Sequence, residues 1–225
     1  MGTITPFHTS RLVDDIPPLP GDLSAHVFFD DFDRFAAAEW TITTTEGGSG
    51  SATEALTNAD NGVLLITNDN ADDDADFFQK VGESFKFETG YRAWFAMRFK
   101  VSDATQSDVV MGLQITDTTP LAVSDGVYFI KSDGDTMFDF VVTKDSSATT
   151  SAEVATLEDD TWMVLGFYYD GASLLVPYVN GQPGTPVAIT NLPDDEELTV
   201  SFGCQAGEAA VKSLSVDYVY AAKER

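Results

Sequence analysis

Apolar and polar positions alternate with a period of two through most of this chain, and no segment sustains a helical period against it. The alternation is clearest in YRAWFAMRFKV. Tyr91, Ala93, Phe95, Met97, Phe99 and Val101 fall on one face; Arg92, Trp94, Ala96, Arg98 and Lys100 fall on the other. The stretch from Trp162 to Gly181, WMVLGFYYDGASLLVPYVNG, is apolar on both faces of its first run. A strand of that kind is expected to be covered on both sides. Its Asp-Gly and Asn-Gly pairs tolerate the positive φ of tight turns, so the stretch predicts a β-meander turning at Asp170 and Asn180. Further strand signals fall at 27–29, 40–45, 52–57, 62–67, 77–80, 91–101, 108–116, 126–131, 137–143, 186–189, 198–204 and 213–220, separated by Gly, Asp, Asn and Ser clusters. Their number and spacing predict an all-β chain of two packed antiparallel sheets.

Residues 1–25 break this pattern. The segment DDIPPLPGD, from Asp14 to Asp22, carries three of the nine prolines and predicts an extended arm that cannot pair as a central strand. The body, residues 26–225, is expected to form one domain. Pro6, Phe7, Arg11, Ile16, Pro17 and Pro18 are the arm positions expected to make assembly contacts, held by the body or by a neighbouring subunit.

Charge narrows the partners. Thirty-seven acidic and 12 basic residues give a formal net charge of −25, which repels nucleic-acid phosphates and anionic lipid. Neither is an expected partner. No run reaches transmembrane length, and MGTITPFHTS has neither the basic nor the apolar region of a secretion signal. Pro6 stands where a myristoylation motif has Ser or Thr. The expectation is a protein made in a cytoplasm and released by lysis or assembly. The lone Cys204 excludes an intrachain disulfide, and its apolar strand predicts a buried, inert thiol.

Several of these segments resemble a known family. The "W…yDG…l.vyvNG" form of 162–181, the "F.DdFdg…W" form of HVFFDDFDRFAAAEW, and the closing SLSVDYVYAAKER are similar to segments of the concanavalin A-like lectin/glucanase jelly rolls, including laminin-G-like modules. The resemblance spans roughly residues 26–222. It implies an antiparallel two-sheet jelly-roll β-sandwich with the arm extended from its N-terminus. It says little about function, because that fold hosts many.

The chemistry such folds support is largely missing. The two histidines, His8 and His26, lie at or before the first strand, so imidazole-based catalysis and zinc binding lack parts in the body. The E-x-D-x-x-E strand of retaining glucanases, which puts the acids on one face, is absent. Alginate lyases of this fold line a sheet with an arginine strand, a Q-I-H strand and a Y-F-K strand. RAWFAMRF, GLQITD and YFIKSDGD follow that order, so the resemblance places Arg92, Gln114, Tyr128 and Lys131 on or near one sheet. Thr116 replaces the histidine and no glutamate follows Arg92, which leaves sugar binding without elimination. No catalytic residue and no required cofactor is expected. The acidic run NDNADDDAD, Asn68–Asp76, and the segment KSDGDTMFD, with Asp133 and Asp135, are candidates for structural calcium or for plain solvated loops.

The second face of 91–101 gathers Arg92, Trp94, Arg98 and Lys100 in an otherwise acidic chain. Three readings stay open: an interface, since Trp and Arg concentrate in hot spots; a sugar platform on Trp94; or a covered tryptophan with basic stems along its edge. The leading functional expectation is a non-enzymatic virion structural protein, a capsid decoration or cement protein of a tailed bacteriophage. Its partners would be the major capsid protein or other virion subunits, and further copies of itself. The alternative is a carbohydrate-binding module or degenerate polysaccharide lyase that recognises a host glycan.

Overall fold

A computed structural model describes residues 17–48, 50–59 and 62–225. Fifteen strands follow one another: β1 (Ala25–Asp30), β2 (Trp40–Thr45), β3 (Thr53–Leu56), β4 (Leu64–Thr67), β5 (Ala75–Lys80), β6 (Ala93–Val101), β7 (Ser107–Gln114), β8 (Gly126–Lys131), β9 (Met137–Lys144), β10 (Ser147–Thr156), β11 (Met163–Tyr169), β12 (Leu175–Val179), β13 (Gln182–Pro183), β14 (Thr199–Ala206) and β15 (Ser213–Glu224). The first sheet runs β13-β12-β11-β6-β15-β4-β3, with β1 paired to the C-terminal half of β15. The second runs β10-β9-β8-β7-β14-β5-β2. Every named pair is antiparallel, which is the two-sheet sandwich the sequence predicts.

The core is aromatic. Phe78 and Phe202 stack at 5.3 Å, Phe95 and Phe167 at 5.5 Å, and Trp40 meets Phe202 edge-on at 5.2 Å. All are buried between the sheets. The β6 alternation holds from Ala93 on: Ala93, Phe95, Met97, Phe99 and Val101 point into this core, whereas Tyr91 precedes the strand and is 39% exposed. Along β11, Leu165, Phe167 and Tyr169 do the same.

The turns follow their chemistry. Asn180 and Gly181 both take positive φ, +49° and +75°, and close the β12–β13 hairpin with Val179 opposite Gln182. Asp170 Oδ1 accepts the N–H groups of Ala172, Ser173 and Leu174 at 2.8–2.9 Å. The expectation for 186–189 is corrected: only Val187 makes a bridge, to Leu175. β10 escapes the sequence pattern because its Ser, Thr and Ala lie on an exposed edge with no buried face to alternate.

Pro17 and Pro18 are half-buried, and the expected arm contacts at Pro6, Phe7, Arg11 and Ile16 lie outside the described residues. Among the described residues no helix is long and apolar enough to cross a membrane. Phe202→Ala removes a ring in contact with Trp40 and Phe78, so it is expected to cost about 3–5 kcal/mol of unfolding free energy. The check is the urea midpoint, which falls while the denaturant slope stays unchanged.

Candidate functional site

Two sheet faces and one end of the sandwich hold the candidate chemistry. On the outward face of the first sheet, cross-strand pairing sets Val176, Tyr168, Trp94, Ala222 and Val27 in one row. Trp94 keeps only 5% of its surface exposed. Tyr168 lies 5.6 Å from its ring, and the Arg92 guanidinium lies 5.6 Å from the ring centre on the other contact. A tryptophan buried this deeply offers no open ring for a sugar to stack on. Trp94 is covered, though by Tyr168, Arg92 and other neighbours on the first sheet's outward face and not by the second sheet.

The basic residues beside it are paired within the chain. Arg92 donates to Glu224 from Nε at 2.8 Å, and its backbone N–H does so at 2.9 Å. Arg98 pairs with Asp217 at 2.5 Å and lies 4.4 Å over the Trp162 ring. Asp217 reaches it because β15 carries a bulge between Val216 and Tyr218. Lys100 meets Asp160 at 3.5 Å. The stripe is therefore neutralised by acids distant in sequence. The hydrogen bonds and charge of Arg92 hold the Glu224 carboxyl below the usual glutamate range.

The outward face of the second sheet is also covered. One row crosses it as Val141, Tyr128, Gly112, Ser201, Gln79 and Thr41, and it contains no carboxylate. The chain between β7 and β8, residues 115–125, folds back over this face and packs Leu121 and Val123 against Phe77, Val110, Tyr128 and Val141. Two glutamines fix it. Gln114 Nε2 donates to the Pro120 carbonyl at 2.9 Å; Gln79 Nε2 donates to the Ile115 carbonyl and its Oε1 accepts Asp117 N–H, both at 2.9 Å. Burial pushes the Tyr128 hydroxyl's pKa up. A shallow cleft of ≈ 250 Å³ remains beside the loop, lined by Thr45, Phe77, Leu121 and Gln205 among others.

The four residues drawn together by the lyase resemblance do not converge. Gln114 and Tyr128 share this outward face, but both serve the covering loop. Lys131 pairs with core residue Val109 and points to the opposite side of the sheet. Arg92 belongs to the other sheet's side of the molecule. Period-two counting places Lys131 against Tyr128, and the resemblance in residue order hides it.

Lys131 also resolves one calcium candidate. It is 1% exposed, and its ammonium donates to the carbonyls of Ser132 at 2.8 Å and Asp135 at 2.7 Å. The positive charge in the KSDGD turn is supplied by the chain itself. Burial lowers the Lys131 pKa, and Asp108, Asp133 and Asp135 oppose that shift. The other acidic run is split. Asp69, Asp72 and Asp73 stay at least partly exposed, whereas Asn68, Asp74 and Asp76 are buried at 0–1% exposure. Asn68 and Asp76 lie against Cys204, whose thiol is pushed up to about 12 by burial and is inert. Burial, with the charges of Glu54, Glu46 and Asp74, pushes the Asp76 carboxyl up to about 6. A further hollow of ≈ 400 Å³ beside β1 is lined by Phe28, Asp30, Asp31, Asp33, Arg34 and Glu39.

No protein-family model matches the chain, and no curated protein matches it in sequence. Solved structures match its fold along most of its length. A protein of unknown function from Shewanella oneidensis MR-1 aligns with a TM-score of 0.62 at 16% identity, over 89% of this chain and 87% of that one. An endo-β-1,4-glucuronan lyase from the fungus Trichoderma reesei aligns at 0.57 and 11%, over 88% and 95%. A prokaryotic β-1,3-1,4-glucanase (lichenase) from a mouse hindgut metagenome aligns at 0.62 and 12%, over 87% and 98%. At these identities the likeness is one of architecture. The chain shares the two-sheet jelly-roll sandwich fold of these structures.

The Arg92–Glu224 pair carries a pH signature. A glutamate whose folded pKa is lowered stabilises the fold above its ordinary value of 4.5, and that contribution disappears as pH falls through the folded value. Glu224→Gln is therefore expected to destabilise by about 1 kcal/mol at pH 7, and by progressively less as pH falls through the lowered folded-state value. Urea unfolding of both chains across that range checks it.

Proposed function

We propose that this chain is a non-enzymatic assembly protein, and in its specific form a capsid decoration or cement protein of a tailed bacteriophage. The observation that carries the reading is that the chain itself fills much of both broad faces of the sandwich. Loop 115–125 occupies one, and the other buries Trp94 and pairs its basic stripe internally. The body strands lack histidine after His26, the central row of the second sheet lacks an acid, and the acids Asp217 and Glu224 beside the first sheet's face are engaged by Arg98 and Arg92, which supports a reading without catalysis. The start of the described chain supports an arm that leaves from the first sheet. Tyr220 donates its hydroxyl to the Pro18 carbonyl at 2.6 Å, and Leu19 and Leu23 beyond it are 67% and 90% exposed. Exposed leucines flanking a tethered proline segment suit contact with another subunit. The partners in this reading are the major capsid protein and further copies of the chain, in a virion.

A second reading is favoured by the cleft beside loop 115–125. Thr45, Gln205 and the Phe77 ring would there meet a glycan's hydroxyls and apolar face, and the chain would be a non-catalytic carbohydrate-binding module. The glucuronan lyase and the lichenase that share its fold act on polysaccharides.

Two measurements separate these readings. Purified protein mixed with expanded, emptied phage heads is expected to co-sediment at saturating stoichiometry, with Leu19→Asp/Leu23→Asp reducing that binding at least tenfold. A monomer that binds no heads refutes the assembly reading. On a glycan array the assembly reading expects no signal; binding that Gln205→Ala abolishes replaces it with the carbohydrate reading.

A further inference from the structure

The buried cluster around Cys204 is not explained by either reading. Asn68 follows β4 in the first sheet and reaches across the end of the sandwich to the second. Its Nδ2 donates to the Asp74 carbonyl at 2.9 Å and to the Cys204 carbonyl at 3.3 Å. Both partners are acceptors, so the amide cannot be turned over, and its Oδ1 faces away from them. That oxygen has no partner. Asp76 lies directly opposite Cys204 in the β14–β5 ladder. Its Oδ1 accepts the Thr44 hydroxyl at 2.6 Å, and its Oδ2 has no partner. Asp74 repeats the arrangement: Oδ1 accepts the N–H of Gly47, and Oδ2 has no partner.

Three oxygens, two of them on carboxylates, are thus buried and unsatisfied at one end of the sandwich. Leaving even a neutral polar atom in this state costs a few kcal/mol, and an uncompensated buried carboxylate costs more. Among the described residues no lysine or arginine pairs with Asp74, Asp76 or the neighbouring Glu46 and Glu54. The contrast with Lys131 and Lys212 is direct, since both of those buried cations have their oxygens in place. The missing component at Asp74 and Asp76 is a positive charge.

We propose that this end of the sandwich binds a calcium-type divalent cation through Asp74 Oδ2, Asp76 Oδ2 and Asn68 Oδ1, with water completing its shell. The donors offered are two carboxylate oxygens and one neutral amide oxygen, a kind of donor calcium accepts. An all-oxygen set of mixed charge also suits calcium better than magnesium, which holds its own waters and demands a tight octahedron. The wall of the site is the chain at Glu46–Gly48. It passes so close that a Cβ on Gly47 would stand 2.4 Å from the Asp72 carbonyl oxygen. The cation would tie β4, β5 and the β2–β3 connection together, and binding only the folded chain it would raise stability.

The test uses the full chain stripped with a chelator and then titrated with calcium at fixed ionic strength. Saturable calorimetric binding is expected, with the melting temperature rising by roughly 5–10 °C at a hundredfold excess over the dissociation constant. Magnesium is expected to give less than a third of that rise. Asp74→Asn and Asp76→Asn keep the side-chain shape and remove the charge. Each is expected to fold without calcium at least as stably as the stripped parent, and to lose the calcium response. Glu196→Gln, an exposed acid elsewhere, is expected to keep it in full. Absence of saturable binding to the parent chain overturns the proposal, as does an undiminished response in both Asp variants, which would assign the effect to general screening of the −25 charge.

Discussion

The fold and its filled faces depend on one strand. β15 runs for 12 residues and pairs along its length with β6, while its other edge is shared between β4 and β1. No other strand is flanked by three. The twelve residues form two ladders at once, so the ends of the body are fastened to its centre by backbone hydrogen bonds. Its inward side chains, Leu214, Val216, Val219 and Ala221, are fully buried in the core. Its remaining side chains decide what the outward surface can be. Asp217 and Glu224 take up Arg98 and Arg92, and Tyr220 holds Pro18. The bulge that separates Val216 from Tyr218 is what brings Asp217 into reach of Arg98.

That arrangement limits the function by subtraction. A sandwich with two open faces can present a sugar platform or a catalytic cleft on either. Here much of each face is used to complete burial. Small residues in the ladders make this feasible: Gly112 stands beneath Tyr128, where a Cβ would meet the Tyr128 Cβ at 2.6 Å. The covering loop then seals apolar residues that would otherwise be exposed on the second sheet. Covering both faces adds buried apolar area, at about 25 cal/mol per Å². It leaves edges, ends and the arm as the places where recognition can happen.

Much of the scaffold is legible in the sequence because its signals are local. Period two in 91–101 gives the buried side of β6, the double apolar run at 162–169 gives a strand covered on both sides, and Asn180-Gly181 gives a hairpin turn. The failures are of two kinds, partners distant in sequence and positions that break or lack the hydrophobic pattern. Arg92 and Arg98 read as a free basic stripe because their partners stand 132 and 119 residues away. Gln114 and Tyr128 read as a sugar-contacting pair because nothing in the sequence says that loop 115–125 folds back over them. Lys131 reads as a surface contact although it belongs to the buried side of the pleat, since a lysine there satisfies no hydrophobic rule. β10 is invisible because an exposed edge strand has no buried face to leave a pattern.

The acidic run at 68–76 combines both cases, and its sequence neighbours have opposite fates. Asp69, Asp72 and Asp73 behave as a solvated loop, which is what a run of like charges ordinarily does. Asn68, Asp74 and Asp76 are drawn inside because the strands that flank them end at the junction of the two sheets, where side chains at alternate positions must point inward. Valine or leucine at these positions would give a drier junction at no electrostatic cost, and elsewhere at the sheet ends the chain uses such residues. Retaining two carboxylates in a protein of net charge −25 adds self-repulsion to desolvation. Among the described residues the other buried charged groups, Asp125, Lys131 and Lys212, each have hydrogen-bond partners within the chain. A cation drawn from solution would satisfy the same electrostatic requirement.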